Sequence, residues 1–174
     1  MITLNATFEY VLRINTFIRT KTSQNPQRLE MVYDTGSGTT TISKEVALNA
    51  GYRIRKGDYF VEGIGGRVKA DYTVIPDLIL GNTSLGPVYA HVVEFHDDLA
   101  QRTNALLGMN VLSWFRITQD CHWNIGMQRH DTATLVLEPK YDINEKVDLK
   151  TFSPLDRGQR FGSVFLVDKS DTQF

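Results

Sequence analysis

Apolar and polar positions follow one another in short runs along most of the chain, and the runs are punctuated by glycine, proline and asparagine. Phe8 to Ile18 (FEYVLRINTFI) is rich in β-branched and aromatic residues and partly alternates apolar with polar ones, which predicts a strand. The polar stretch Lys21 to Arg28, with Ser23, Asn25 and Pro26, predicts a loop, and Leu29 to Tyr33 a short apolar strand running into Asp34. Ser43 can cap a helix that has Glu45 in its first turn, Val46 and Ala50 on one face, and Gly51 as its stop. Strands are predicted at Tyr59–Glu62, Arg67–Leu80 (interrupted at Pro76) and Val88–Phe95, separated by turns at Gly63–Gly66 and Asn82–Pro87. Ala105–Gly108 reads as a buried strand and Asn110–Trp114 as a short helix with Asn110 as its cap. Phe115–Asp120 and Thr134–Glu138 read as closing strands joined by a loop of moderate length. The expectation is a mostly-β domain over residues 1–140 with one or two short helices. Beyond Pro139 the composition turns polar and charged, so residues 141–174 read as a C-terminal tail of uncertain order, with one strand-like run at Phe161–Val167.

Composition narrows the function classes. The hydrophobic fraction of 41% in 174 residues is enough to bury a core. The formal net charge is -1, from 19 basic and 20 acidic residues, and this balance excludes the basic excess of a dedicated nucleic-acid or membrane-surface binder. Arg53, Arg55 and Lys56 cluster only as a solvated loop would. The single cysteine, Cys121, allows no disulfide within the chain. The first ten residues lack the basic start and apolar run of a signal peptide, and apolar stretches such as Val74–Leu80 are too short to span a bilayer. The expected location is cytoplasmic, as a soluble protein.

Chemistry concentrates in Met31-Val32-Tyr33-Asp34-Thr35-Gly36-Ser37-Gly38-Thr39-Thr40. An apolar strand delivers a carboxylate, and small or hydroxylic residues follow at once. Thr35 and Ser37 offer hydroxyls, while Gly36 and Gly38 let backbone approach the carboxylate. Asp-Thr-Gly alone favours an Asx-turn in which the aspartate merely bonds its own backbone.

Three features taken together resemble the retropepsin-like aspartic protease family. They are Val32-Tyr33-Asp34-Thr35-Gly36-Ser37 leading through Thr39-Thr40-Thr41 to a helix, the glycine-rich turn Gly63-Ile64-Gly65-Gly66 between two strands, and Leu106-Leu107-Gly108-Met109-Asn110-Val111-Leu112. They occur in family order, and the resemblance spans Phe8 to Glu138. It implies a closed, barrel-like retropepsin fold working as a twofold homodimer on a peptide or protein substrate. The implied reaction is peptide-bond hydrolysis by a water held between Asp34 and Asp34′, without metal or other cofactor. Thr35, Gly36 and Ser37 would support the catalytic loop, with Thr35 tying the two loops across the axis. Gly63, Ile64, Gly65 and Gly66 would form a flap over the substrate. Gly108 reads as a close-packing site beneath the loop, and Val61, Ile64 and Val68 hint at apolar side-chain pockets. A second Asp-Thr-Gly and an internal repeat are both absent from the sequence, so one chain supplies only half of such a site.

The chain departs from the pattern at Tyr33, where a smaller aliphatic residue is usual, in the long Lys21–Arg28 loop, and in the unplaced tail. Those departures leave a rival reading, a non-catalytic dimerisation or peptide-binding module. His91, His96, His122 and His130, with Asp97, Asp98 and Cys121, lack the spacing of a metal site, and adjacent Cys121 and His122 diverge on a strand.

Overall fold

A computed structural model describes residues 1–9, 11–63, 66–95 and 103–140. Among the described residues, twelve strands and two short helices follow in chain order. They are β1 (Ile2–Glu9), β2 (Val11–Ile18), β3 (Gln27–Tyr33), β4 (Thr41–Ser43), α1 (Lys44–Asn49), β5 (Arg55–Gly63), β6 (Gly66–Ile75), β7 (Leu78–Leu80), β8 (Thr83–Ser84), β9 (Val88–Val93), β10 (Ala105–Leu107), α2 (Met109–Leu112), β11 (Phe115–Asn124) and β12 (Arg129–Pro139). The expected tail at residues 141–174, with its strand-like run at Phe161–Val167, lies outside the described residues.

The core follows from period-two alternation. Ile2, Leu4 and Ala6 of β1 are buried while Thr3, Asn5 and Thr7 are exposed, and β2 buries Leu12, Ile14, Thr16 and Ile18. Thr16 is tolerated there because its hydroxyl donates to the Leu29 carbonyl at 2.7 Å. These side chains meet Met31, Ile42, Ile75, Leu80, Leu107, Leu112, Leu135 and Leu137 in one cluster. Helix α1 begins where the sequence placed it: Ser43 Oγ accepts from the Val46 N–H at 3.1 Å, and Gly51 follows the helix in a left-handed conformation with φ of 72°.

Sequence order and strand pairing differ in three places. The run read as one strand, Phe8–Ile18, is divided between β1 and β2, which pair antiparallel up to Glu9 and Val11. The closing loop shrinks to residues 125–128, because β11 and β12 stay paired as far as Asn124 and Arg129. The expected closed barrel is replaced by an open sheet in the order β11-β12-β1-β2-β3-β10-β4-β9-β6-β5, with β7 and β8 branching off β2. One edge of β2 is shared, by β1 along Val11–Ile14 and by β7 along Thr16–Ile18, so the sheet forks there. At one end of the path, charged side chains line β5 and its neighbour, including the pairs Lys56–Asp71 and Lys69–Asp58, as suits an unpaired edge.

Two pairings are parallel, β3 with β10 and β4 with β9. They lie side by side, joined where β10 pairs antiparallel with β4, and this arrangement builds the site.

Candidate active site

Asp34 is the first residue past β3, half-buried, with its backbone N–H donating to the Leu107 carbonyl of parallel β10 at 3.1 Å. Its carboxylate is oriented locally: Oδ1 accepts the Gly36 N–H at 2.9 Å. The Asx-turn is therefore real, yet it occupies one oxygen and leaves Oδ2 without a hydrogen bond among the described residues. A Cβ on Gly36 would sit 3.2 Å from that same Oδ1, so glycine keeps the turn tight. The Ser37 hydroxyl donates to the Thr39 carbonyl at 2.8 Å, whereas Thr35 is exposed and its hydroxyl is engaged by no described residue.

Beneath this loop runs a buried polar clamp. Asn110 Oδ1 accepts from both the Thr40 N–H at 2.7 Å and the Thr40 hydroxyl at 2.8 Å, and its Nδ2 donates to the Tyr89 carbonyl at 2.9 Å. The Gly108 N–H donates to Thr40 Oγ1, the Met109 N–H to the Ser37 carbonyl and the Asn110 N–H to the Gly38 carbonyl. Every polar atom of the Asn110 side chain's carboxamide core is thus engaged in the interior, where an unmade bond costs about 1–3 kcal/mol. Asn110 does not cap α2, as the sequence suggested. The cap position is Gly108, with no side-chain bond, and Asn110 instead ties the loop after Asp34 to β9. Thr40 and Asn110 carry this role together; no local pattern announces it, because they are 70 residues apart.

Residues 20–111, just over half of the chain, match a family model described as aspartyl protease. The chain belongs to that family. Its fold is retropepsin-like: a retropepsin-like aspartic protease from Rickettsia conorii superposes with a TM-score of 0.51 at 18% identity, covering 76% of this chain and 89% of that one. The EIAV protease, in complex with an inhibitor, superposes with a TM-score of 0.46 at 18% identity, covering 61% of this chain and 88% of that one. No curated protein matches in sequence.

For this member of the aspartyl protease family, the second predicted element is a hairpin. Strands β5 and β6 pair up to Gly63 and Gly66, and Gly66 takes a φ of 102° that favours glycine. Ile64 and Gly65, called as part of the flap, lie outside the described residues. At the base of the hairpin stands an aromatic cluster that sequence reasoning missed. Tyr59, Tyr72, Tyr89 and His91 come from β5, β6 and β9, with ring centroids 5.5 to 6.4 Å apart. Among the described residues no three His, Cys, Asp or Glu side chains converge as metal ligands would. No helix there is long and apolar enough to cross a membrane.

Burial among those rings holds the His91 imidazole below its ordinary value of 6.5. As pH falls, the unfolded chain therefore takes up this proton before the folded one does. Stability from this source is fully present above pH 6.5 and declines as pH drops below it. His91→Leu is expected to flatten that part of the decline, read as a shallower slope of urea-unfolding free energy between about pH 7 and pH 5. Equal slopes for the two proteins would show that His91 plays no part in it.

Proposed function

We propose that this protein is an aspartic endopeptidase acting as a twofold homodimer, with Asp34 of each chain contributing half of a catalytic dyad. The observation that carries this reading is the Asp34 carboxylate itself, fixed through Oδ1 by the Gly36 N–H and open at Oδ2. Membership of an aspartyl protease family and the single Asp-Thr-Gly in the chain support it.

Two carboxylates a few ångströms apart cannot both ionise cheaply, so such a pair shares one proton and titrates as a unit, as aspartic protease dyads do. In the dimer, Asp34 as carboxylate takes a proton from the water held between the two chains. That water attacks the peptide carbonyl carbon, while protonated Asp34′ donates to the carbonyl oxygen and stabilises the tetrahedral intermediate. The intermediate collapses as the amide nitrogen gains a proton and leaves. Thr35, which is exposed, bonds the partner loop across the axis in this reading. Gly36 and Ser37 hold the turn, and the β5–β6 hairpin, with Gly63, Ile64, Gly65 and Gly66 at its end, serves as the flap that excludes water and lines the substrate main chain.

The test is hydrolysis of a diverse peptide mixture from about pH 4 to 7, the range open to a proton-sharing dyad, with wild type and Asp34→Asn compared. Cleavage by the wild type alone is the expected result. Cleavage surviving in Asp34→Asn would sink the assignment of Asp34. Cleavage by neither protein would favour a non-catalytic dimerisation or peptide-binding module.

A further inference from the structure

Lys21 and Arg53 carry charges that no described residue neutralises in an ion pair. Both line one hollow, which opens to solvent between the loop after β2 and the segment leading into β5. Its volume is about 30 Å³, and Arg55, Tyr52, Tyr72 and Val74 line it with them. Among the described residues no carboxylate does so. The acidic residues nearest along β6 and beyond it are engaged elsewhere. Asp71 accepts from Lys56 Nζ at 2.9 Å, and Asp77 accepts from Ser84 Oγ at 2.6 Å and from the Gly86 N–H at 3.0 Å. Of the three cations that cluster in sequence, Lys56 therefore turns to Asp71, while Arg53 and Arg55 line the hollow.

The backbone that carries these cations is held in place. The Lys21 N–H donates to the Ala50 carbonyl at 2.9 Å, Thr22 Oγ1 to the Asn49 carbonyl at 3.1 Å, and the buried Tyr52 hydroxyl to the Arg19 carbonyl at 2.7 Å. On the other side, Thr73 Oγ1 donates to the Arg53 carbonyl at 2.9 Å. A Cβ on Gly51 would come within 3.2 Å of Lys21 Cβ, so the glycine, at a φ of 72°, lets the two segments close on each other. Like charges on a fixed frame repel, and an anion between them removes that repulsion. Little backbone order remains to be lost on binding, and the aromatic and aliphatic walls concentrate the field.

We infer that this hollow binds a phosphate-type oxyanion, either inorganic phosphate or a small phosphate monoester, with Lys21 and Arg53 as its charge partners and Arg55 beside them. The volume admits the inner face of one such group, since a single water needs about 10–15 Å³ of comparable space. A dianion matches two uncompensated cations, whereas a carboxylate would leave one of them over. Arginine offers a fork of donors and lysine a point charge, a pairing suited to several oxygens on one centre.

The inference does not depend on the two-aspartate reading. Arg55 faces Tyr72 across the sheet, Tyr72 faces His91, His91 faces Thr41, Thr41 faces Leu106, and Leu106 faces Val32, two residues before Asp34. That row crosses five strand spacings, about 24 Å along the sheet, so the hollow and Asp34 are separate sites.

The test titrates the full chain with inorganic phosphate by calorimetry, at fixed ionic strength and mildly alkaline pH, where phosphate is a dianion. Acetate is the comparison anion. Variants are Lys21→Met, Arg53→Met, their double, and Lys69→Met, which removes the same charge from a cation paired with Asp58. One phosphate per chain is expected to bind to the wild type. Each single variant at the hollow is expected to weaken binding about fivefold or more, and the double to abolish it. Lys69→Met and Asp34→Asn are expected to bind as the wild type does. All three mutated lysine and arginine side chains are exposed, so the urea midpoint without phosphate is expected to stay unchanged. A wild type that takes up no phosphate, or a double variant that binds it equally well, would overturn the inference. Acetate binding as tightly as phosphate would overturn the dianion as the ligand. Binding only to vesicles that carry phosphoinositides, through the same two residues, would overturn a small soluble ligand.

Discussion

Wild-type protein mixed with a roughly ninefold excess of Asp34→Asn chain is expected to keep about a tenth of its cleavage rate, at concentrations where both chains are dimeric. The expectation follows from pairing statistics, because exchange places most wild-type chains opposite an asparagine. Asparagine is a searching replacement here. Its Oδ1 can still accept the Gly36 N–H that fixes the Asp34 side chain, so the turn and the loop above β10 are retained. What it lacks is an ionisable proton, and the shared-proton pair is lost in any mixed dimer. Loss of a positioned acid or base lowers rates by about 10² to 10⁴, so mixed dimers contribute almost nothing. A rate that falls only by dilution, with exchange of chains confirmed, would mean that each chain works alone and that Asp34 serves the turn only.

The parts of this site that could be read from sequence are those whose chemistry is local. A carboxylate followed by Thr-Gly-Ser after an apolar strand, a Ser43 cap with Gly51 as the stop, and glycines flanking a two-residue connection between β5 and β6 each act within a few residues. The structure places all three where the pattern did. The β1–β2 turn was invisible because Glu9, Tyr10 and Val11 include no Gly, Pro or Asn, so the apolar pattern runs through the reversal without a break. The β11–β12 hairpin looked shorter than it is because Gln119 breaks the apolar series Phe115, Ile117, Cys121, Trp123, and both faces of its outer half meet solvent. Closure of the sheet was a matter of which strand takes each edge of β2, and edge choice leaves no mark on period. Asn110 looked like a cap because Asn before an apolar turn usually is one. Its actual partner, Thr40, is adjacent only after β10 has been inserted between β3 and β4.

That insertion is also what makes Gly108→Ala the most damaging small substitution expected in the fold. A Cβ built on Gly108 would lie 2.4 Å from the Thr39 carbonyl carbon, 2.6 Å from its oxygen and 2.7 Å from the Thr40 nitrogen. All three are backbone atoms, so no side chain can swing aside to make room. Nor can the loop recede easily, since the Met109 and Asn110 N–H groups hold the Ser37 and Gly38 carbonyls while Asn110 holds Thr40. Relief requires breaking that clamp, which supports the expectation of a loss of about 3 kcal/mol or more in urea unfolding. Gly38→Ala is the informative comparison. It changes the same loop by the same methyl group, yet nothing lies within 4 Å of the added atom, so its cost is expected to stay within about 0.5 kcal/mol. Equal losses at the two positions would show that the loop objects to any side chain. A large loss at Gly108 alone would show that the distance between β10 and the Thr39–Thr40 backbone is what the glycine protects. If the alanine variant folds, its cleavage rate should fall as well, because the clamp that must open to admit the methyl group is the one that sets the height of Asp34.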